Sequence, residues 1–254
     1  MLSSPYSDRW TMTRSRPRRR RAGAPARRPY VICHMAPSID GRIVTSGWPS
    51  LRALSLEYER TASSFGADAW IIGRISMEPY AGKARVPRSP GTVRIPKEDF
   101  IARADAPSYA IAIDPSGKLG WESGHIDEEQ VVTVLTEQVP ERYLAFLRTK
   151  GVSYLFGGKH RIDLLAVLRK LRGRLGIRRL LLEGGGKING SFLSAGLVDE
   201  LSILIAPVAD GGIGTPTLFD ASPGTGPARR LQLLGAERRG KDQVWVRYRV
   251  VHTS

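Results

Sequence analysis

Residues 180–193 have the sequence LLLEGGGKINGSFL, which predicts a buried strand, a glycine turn and an amphipathic helix in succession. The strand ends at Leu182, and Ile188, Phe192 and Leu193 fall on one face of the helix. In a parallel α/β sheet, this arrangement presents bare backbone N–H groups and the positive end of a helix to a phosphate. The predicted ligand is therefore a nucleotide, in particular a dinucleotide. The alternative is a tight turn that binds nothing.

The composition indicates a globular protein with one large domain or two small ones. The chain has 254 residues, 41% of them hydrophobic. No apolar run approaches the roughly 20 residues that span a bilayer. The single cysteine, Cys33, excludes an internal disulfide and a multi-cysteine metal site. We expect no membrane partner and a cytoplasmic location, since a chain without disulfides fits a reducing compartment.

The positive charge is concentrated at the amino terminus. Residues 1–29 contain nine arginines and one aspartate, so they carry +8 of the formal net charge of +15, and the remaining residues carry +7. We expect residues 1–28 to form a disordered Arg-rich tail before a single domain over residues 29–254. Three interpretations of the tail stay open: a solvated extension or over-extended start, a nucleic-acid-binding arm, and a targeting peptide. The moderate charge of the remainder suits a phosphorylated ligand as well as a polynucleotide.

Apolar runs and helical spacing predict alternating strands and helices after Tyr30. The predicted strands are 30–35, 67–72, 109–113, 131–135, 152–156, 177–182, 198–206 and 244–250. The predicted helices are 50–65, 140–147, 162–171 and the one after the triple glycine. Residues 82–107, rich in proline, glycine and charge, are expected to form a long loop. This order predicts the α/β class, with a mixed, mostly parallel sheet flanked by helices.

The glycine turn departs from the usual dinucleotide fingerprint. Gly184-x-Gly186-x-x-Asn189 has the fingerprint's spacing with asparagine in the last place, and it lies late in the chain. No convincing acidic partner for a ribose follows about twenty residues on. A Walker P-loop is excluded because its Gly-x-x-x-x-Gly-Lys-Ser/Thr pattern does not occur. These residues disfavour a standard Rossmann fold but not a phosphate-binding turn.

Three other predicted strands end in loops that carry glycine and charge, namely residues 38–42, 73–74 and 157–159. Ligands of open α/β sheets bind beyond the carboxyl ends of the strands, so we expect these loops to converge on one crevice. Arg74 and Lys159 would then supply positive charge to phosphates. For each of them alone, a solvated charge at a loop end is the alternative.

Four motifs, taken together and in order, resemble a known family. They are HMAPSIDGRI at 34–43, ADAWIIGR at 67–74, LEGGG with NGSFL over 182–193, and VDEL, AP and GG over 198–212. The sequence resembles the reductase domain of riboflavin biosynthesis, the C-terminal half of a bifunctional deaminase–reductase with a dihydrofolate-reductase-like fold. The resemblance covers about residues 29–250. The combination of motifs is specific, whereas each one alone is not.

The resemblance implies NADPH-dependent reduction of 5-amino-6-(5-phosphoribosylamino)uracil or a related ribosylaminopyrimidine. The hydride would reach the sugar carbon that ring opening exposes as an imine, which gives the ribitylamino product. The protein would mainly supply orientation and electrostatics, because the cofactor carries the hydride. The resemblance also implies that the protein is a homodimer and that it binds a phosphorylated small-molecule substrate.

The site residues carry over from the family by motif. The cofactor-binding residues implied by the resemblance are Gly73, Arg74, Glu183, Gly184, Gly185, Gly186 and Asn189. The implied catalytic residues are Ser38 and Asp40, near the nicotinamide and the substrate. Asp40 would support proton transfer or fix the substrate's hydroxyl groups. The alternative is a turn carboxylate that hydrogen-bonds to its own backbone, as aspartate before glycine commonly does. We expect no metal site, since the histidines lack ligand spacing.

The loop after the strand at 67–72 departs from the family pattern. Members that act on the ribosyl phosphate usually carry Asp-Asp-Pro-x-Leu-Thr-x-Arg there, whereas residues 77–83 are MEPYAGK, followed by Arg85, Arg88 and Arg94. This difference keeps open a reductase of the same fold with another heterocyclic or small-molecule substrate. A basic nucleic-acid-binding protein is a further alternative, although no nucleic-acid motif occurs and we expect no specific nucleic acid partner. The zinc-binding motifs of the deaminase half are absent.

Overall fold

The computed structural model describes residues 28–49, 52–86, 94–221 and 228–252. The strands are β1 (Tyr30–Met35), β2 (Ala69–Gly73), β3 (Tyr109–Ile113), β4 (His125–Ile126), β5 (Glu129–Thr136), β6 (Ser153–Gly158), β7 (Arg179–Leu182), β8 (Glu200–Ile205), β9 (Leu231–Arg239) and β10 (Gln243–Val250). The helices are α1 (Arg52–Ser63), α2 (Arg74–Ala81), α3 (Glu141–Thr149), α4 (Leu164–Leu175) and α5 (Gly186–Ser194). The predicted tail, apart from Arg28, lies outside these residues.

The chain divides into two units, which we describe separately. The glycine-turn unit holds the described residues of 30–76 and 179–254, and the middle unit holds those of 77–178 together with 28–29. The prediction that residues 29–254 form a single domain stays a prediction. Each unit contains its own sheet strands and its own buried apolar residues.

The sheet of the glycine-turn unit has parallel strands at its centre. β1 lies between β7 and β8 and is parallel to both, with Cys33 opposite Leu182 on one side and Leu201 on the other. β2 continues the parallel set beyond β7, while β10 and then β9 add antiparallel strands beyond β8. Five of the six residues of β1 are buried. Such continuous burial is typical of parallel strands that are covered on both faces.

A polar network lies inside this unit. The ring of His34 is fully buried and stacks on Tyr58, with 4.3 Å between the ring centroids. Its Nδ1 lies 2.9 Å from the hydroxyl oxygen of Ser202, which also accepts a hydrogen bond of 2.8 Å from the indole N–H of Trp245. Because buried polar groups are costly unless they are paired, this network fixes β1 against β8 and β10. His34 is therefore a packed core residue.

The middle unit is also mixed and mostly parallel. β5 lies parallel to β3 and β6, and the short β4 pairs with it antiparallel. Helix α4 begins with Asp163, whose carboxylate accepts a hydrogen bond from the Ala166 N–H, and it ends at Gly176 with φ of 73°. A side-chain cap at the start and a left-handed glycine at the end are common helix boundaries. The residues in this stretch thus specify the helix locally.

One buried carboxylate ties together the loop, strand and helix of the middle unit. The side chain of Asp99 is only 3% exposed and lies 2.9 Å from the Lys170 ammonium and 3.3 Å from the Arg174 guanidinium. It also accepts a hydrogen bond of 2.8 Å from the Phe156 N–H. Asp99 therefore anchors the end of the long loop, whose described residues form no helix or longer strand, to β6 and α4.

The predicted α/β class with a mixed, mostly parallel sheet is confirmed, and every predicted strand and helix is present within a few residues of its expected bounds. Three elements were not predicted. Helix α2 contains Pro79, which usually argues against a helix interior. Most residues of β9 are exposed, so its sequence lacks the alternation that reveals a half-buried strand. β4 has only two residues.

Among the described residues, no helix is long and apolar enough to cross a membrane.

Candidate functional site

Four loops meet at the carboxyl ends of the parallel strands in the glycine-turn unit. Because β1, β2, β7 and β8 are parallel, their carboxyl ends lie along one edge of the sheet. Backbone hydrogen bonds of 2.9–3.0 Å join the loops directly, namely Gly73 to Gly184, Ile39 to Val208, Leu218 to Gly41 and Asp220 to Gly186. We call this group of loops the strand-end site. It brings together three of the predicted motifs: residues 38–42, 73–74 and 183–186.

Asp40 forms the hydrogen-bonding centre of the loop after β1. Its carboxylate accepts hydrogen bonds from the Ser38 hydroxyl at 2.6 Å and from the N–H groups of Asp210 and Gly211 at 3.0 and 2.9 Å. The Ser38 hydroxyl, followed by these two N–H groups, holds the pKa of Asp40 well below its usual range. Asp40 is therefore ionised at neutral pH. Its carboxylate can accept hydrogen bonds, but it has no proton to donate in a reaction at neutral pH.

A second carboxylate continues the same network into the loop after β8. Asp210 accepts a hydrogen bond of 2.6 Å from the indole N–H of Trp48 and another of 2.9 Å from the Gly212 N–H. Arg42 donates to the carbonyl of Thr215 at 2.8 Å. The sequence analysis assigned no role to Asp210. The signal that could have revealed it is its place directly before two glycines, next to a strand end.

The glycine turn contains two residues that packing requires to be glycine. Gly184 has φ of +109°, a conformation that residues with side chains rarely adopt. A methyl group at Gly186 would overlap the carbonyl oxygen of Thr217 and the carboxylate of Asp220. The peptide bond between Gly184 and Gly185 is cis. Gly184 is therefore explained by its backbone conformation and Gly186 by close packing.

Gly185 differs, because it has room for a side chain. A methyl group there would make ordinary van der Waals contacts, with the Ser76 hydroxyl at 3.5 Å and the Ile43 side chain at 3.9 Å, and its φ of −74° is ordinary. Gly185 is also the N-cap of α5 and offers no side chain to cap that helix. The backbone N–H groups of Gly186 and Lys187 precede the first intrahelical hydrogen bond and carry the positive end of the helix dipole. These features fit an anionic group such as a phosphate.

The remaining predicted cofactor residues differ in exposure. Asn189 is fully buried, and its side-chain amide donates to the carbonyl of Leu218 at 3.1 Å, which joins α5 to the neighbouring loop. Glu183 is half-buried, as is Arg74 at the start of α2. Burial, followed by the nearby charge of Glu183, raises the pKa of the Cys33 thiol. The cofactor-binding roles of these residues stay predictions, as do the catalytic roles of Ser38 and Asp40.

The third predicted loop, residues 157–159, belongs to the middle unit. Its convergence with the other loops stays a prediction. Arg85 and Arg94 are exposed residues of the middle unit, and Arg88 lies outside the described residues. Within the described ranges, no three His, Cys, Asp or Glu side chains come together in a way that could hold a metal ion.

This fold and site define a class of protein: an α/β protein whose parallel strand ends present a glycine turn at the start of a helix, together with a hydrogen-bonded polar loop. The sequence matches the RibD C-terminal domain family over residues 29–245, and the chain belongs to that family. The curated relatives that it matches are reductases and RibD proteins of riboflavin biosynthesis. The chain is therefore an oxidoreductase, of a family that implies a nicotinamide cofactor.

Two archaeal relatives match along most of their length. The 2,5-diamino-6-ribosylamino-4(3H)-pyrimidinone 5′-phosphate reductase of Methanothermobacter thermautotrophicus is 33% identical over 229 residues, which are 85% of this chain and 96% of that protein. The reductase of the same name from Archaeoglobus fulgidus is 28% identical, over 76% of this chain and 87% of that protein. By contrast, the match to the riboflavin biosynthesis protein RibD of Chlamydia trachomatis covers 49% of that protein.

Solved structures support the fold. A pyrimidine reductase-like protein from Corynebacterium diphtheriae superposes with a TM-score of 0.63 at 19% identity, covering 89% of this chain and 93% of that one. RibD from Acinetobacter baumannii gives a TM-score of 0.61 at 20% identity, covering 88% of this chain and 58% of that one. At these identities, the likeness concerns the fold alone.

Proposed function

We propose that this chain is an NADPH-dependent reductase of a ribosylaminopyrimidine 5′-phosphate in riboflavin biosynthesis. The observation that carries the proposal is a glycine that packing does not require, Gly185 at the start of α5, in the same strand-end site as the loop of Ser38 and Asp40, in a chain of this family. Neither alternative, another substrate or a nucleic acid, has a comparable observation in its favour.

We assign the phosphates of the cofactor to the start of α5. There, the N–H groups of Gly186 and Lys187 and the exposed Lys187 side chain would hold the negative charge. Gly185 would allow the phosphates to approach the backbone closely, because a glycine has no side chain of its own to keep them away. When bound, the cofactor supplies the hydride. The preference for NADPH over NADH comes from the family resemblance.

The reaction opens the ribose ring to an imine, adds a hydride to the sugar carbon and a proton to the nitrogen, and leaves a ribitylamino group. We assign Asp40 to ordering the loop and accepting hydrogen bonds from substrate hydroxyl groups, rather than to donating the proton. This assignment rests on its low pKa and its three donors. Ser38 would contribute through the position of its hydroxyl, which bridges Asp40 and the N–H of Arg42.

We expect the substrate to be the pyrimidinone rather than the deaminated uracil. The two archaeal proteins that match along most of their length are named for 2,5-diamino-6-ribosylamino-4(3H)-pyrimidinone 5′-phosphate.

A cytoplasmic homodimer is part of the same proposal. β9 is an edge strand, and Leu231, Leu233 and Leu234 are all more than a third exposed. Val244 on β10 is exposed as well. An unpaired edge with exposed apolar side chains is a common site of pairing with another chain. Sedimentation of the purified protein would measure the dimer directly, and a monomer at working concentrations would remove this part of the proposal.

The decisive experiment measures the oxidation of NADPH and NADH with each of the two ribosylaminopyrimidine phosphates. We expect turnover with NADPH and the pyrimidinone phosphate at the highest kcat/KM. The matched control is Arg249→Ala, an exposed change on β10 that should leave turnover unchanged. If the protein binds NADPH but turns over neither substrate, the substrate assignment is wrong. If it binds neither nicotinamide cofactor, the whole proposal is wrong.

A further inference from the structure

A second concave site lies in the glycine-turn unit, between helix α1 and the hairpin of β9 and β10. It is a pocket of about 360 Å³, lined by Glu57, Arg60, Thr61, Ser64, Arg238, Arg239, Gly240 and Trp245. None of these residues belongs to the loops of the strand-end site. The proposed cofactor and substrate site therefore gives this pocket no role.

The pocket is positively charged. Three arginines and one glutamate line it, which gives a net charge of +2. The Glu57 side chain is 7% exposed and lies 3.3 Å from the guanidinium of Arg60 and 3.9 Å from that of Arg239. Glu57 and Glu237, which pairs with Arg239 at 2.8 Å, therefore offset two of the three cations. The remaining charge favours an anion over a cation as ligand.

Arg239 is held rigidly in the wall of the pocket. Its guanidinium stacks on the Trp245 ring at 4.6 Å and forms an ion pair of 2.8 Å with Glu237. The Arg239 side chain is still 34% exposed. A rigid guanidinium at the wall of a pocket is well suited to bind an oxyanion.

The other polar side chains are held in different ways. Arg238 donates to the carbonyl of Lys241 through both Nε and one terminal nitrogen, which fixes it at the hairpin turn. The hydroxyls of Thr61 and Ser64 donate to carbonyl groups of α1 and its C-terminal end. The guanidinium groups, rather than these hydroxyls, would therefore supply the binding energy. Planar forks of this type match the oxygens of a phosphate.

We infer that this pocket binds the phosphate monoester of a small molecule, separately from the strand-end site. The volume lies within the range of about 300–1,000 Å³ that is typical of small-molecule sites, so it leaves room for a group attached to the phosphate. The arginines of α1 and the hairpin would surround the phosphate. The Trp245 side of the pocket would face the attached group.

The test titrates the full-length protein with sodium phosphate and with ribose 5-phosphate and follows the indole N–H signal of Trp245 by NMR. Trp245→Phe identifies that signal, and sodium chloride at matched ionic strength is the control for bulk salt. We expect a saturable shift with both phosphates and none with chloride. Tighter binding of ribose 5-phosphate than of phosphate would support a phosphate monoester as the ligand, and equal or weaker binding would overturn that part of the inference.

Two variants connect the signal to the pocket. Arg238→Ala and Arg60→Ala should each weaken phosphate binding about tenfold, as expected for loss of a hydrogen bond to a charged group. Arg249→Ala, on β10 but outside the pocket, should bind as the unaltered protein does. Thermal unfolding shows whether each variant is folded. The absence of a saturable shift, or unchanged affinity in both pocket variants, would overturn the inference. Neither result depends on reductase turnover, so the proposed function is tested independently.

Discussion

The glycine turn allows a comparison between two neighbouring substitutions with opposite consequences. Gly186→Ala places a methyl group against the carbonyl of Thr217 and the carboxylate of Asp220. Forcing extra atoms into a packed site costs about 1–3 kcal/mol, and replacing glycine by alanine in a helix returns up to about 1 kcal/mol. We expect a net loss of about 1–2 kcal/mol. For a chain of this size, that lowers the melting temperature by roughly 2–8 °C.

Gly185→Ala should have little effect on the fold. The methyl group meets nothing closer than 3.5 Å, and the cost is limited to that of a poorer helix cap, about 1 kcal/mol or less. Its effect should fall on the cofactor, because the methyl group stands where phosphates would approach the backbone. Blocking such an approach should weaken NADPH binding by about tenfold or more.

The assay is a pair of measurements on the same three proteins: thermal unfolding by circular dichroism and NADPH binding by quenching of tryptophan fluorescence. We expect Gly186→Ala to be less stable than Gly185→Ala, and Gly185→Ala to be folded with reduced NADPH affinity. A Gly186→Ala protein as stable as the unaltered chain would refute the packing argument. A Gly185→Ala protein with full NADPH affinity would refute the assignment of the phosphates to this turn.

Three further predictions concern single side chains. The pKa of Asp40 lies below its ordinary value of 3.8, so the ionised carboxylate stabilises the fold above pH 3.8. This stabilisation is lost as the pH falls below 3.8, and Asp40→Asn should therefore flatten the acid side of a profile of melting temperature against pH. Burial, and then the charge of Glu200, raises the pKa of Tyr30 from 10 to about 12. The neutral phenol therefore stabilises the fold fully below pH 10, and this stabilisation is lost between pH 10 and about 12. Tyr30→Phe should flatten the alkaline side of the profile of melting temperature against pH. Asp99→Ala leaves Lys170 without a buried partner and should cost about 3 kcal/mol in urea unfolding.

Each of these predictions has a specific contradicting outcome. Parallel acid profiles for Asp40→Asn and the unaltered protein would show that this carboxylate is not linked to folding. For Tyr30→Phe, the matched change is Tyr248→Phe on the same sheet, and equal alkaline profiles for the two would contradict the argument. Asp105→Ala, whose side chain is 90% exposed, is the control for Asp99→Ala. Equal urea midpoints for these two variants would overturn the anchoring role of Asp99.

The sequence predicted most of the fold because its central strands are fully buried and give uninterrupted apolar runs. It did not predict β9, since a strand exposed along most of its length carries no hydrophobic period. It also missed α2, where Pro79 and the shortness of the helix hide the pattern. These failures occur where packing, rather than local sequence, determines the structure.

For the candidate site, the sequence located the loops but not the reasons for their residues. Gly184 and Gly186 were predicted as phosphate-binding glycines, yet the structure explains them first by backbone conformation and close packing. Only Gly185 is left for a ligand by its surroundings. The two backbone N–H groups that donate to Asp40 belong to Asp210 and Gly211, about 170 residues away in the chain, so no local pattern could indicate them. Contacts of this separation are decided by the fold.

The order of strands in the glycine-turn unit has a consequence for how the chain folds during synthesis. β1 is made early, but both of its neighbours, β7 and β8, follow after the whole middle unit. At about 5–20 residues per second, a ribosome needs roughly 7–30 s to make the 143 residues between β1 and β7. During that time β1 exposes its apolar side chains without a partner strand. The nascent chain thus carries an unpaired, aggregation-prone segment, a natural substrate for chaperones, until residues beyond 205 emerge.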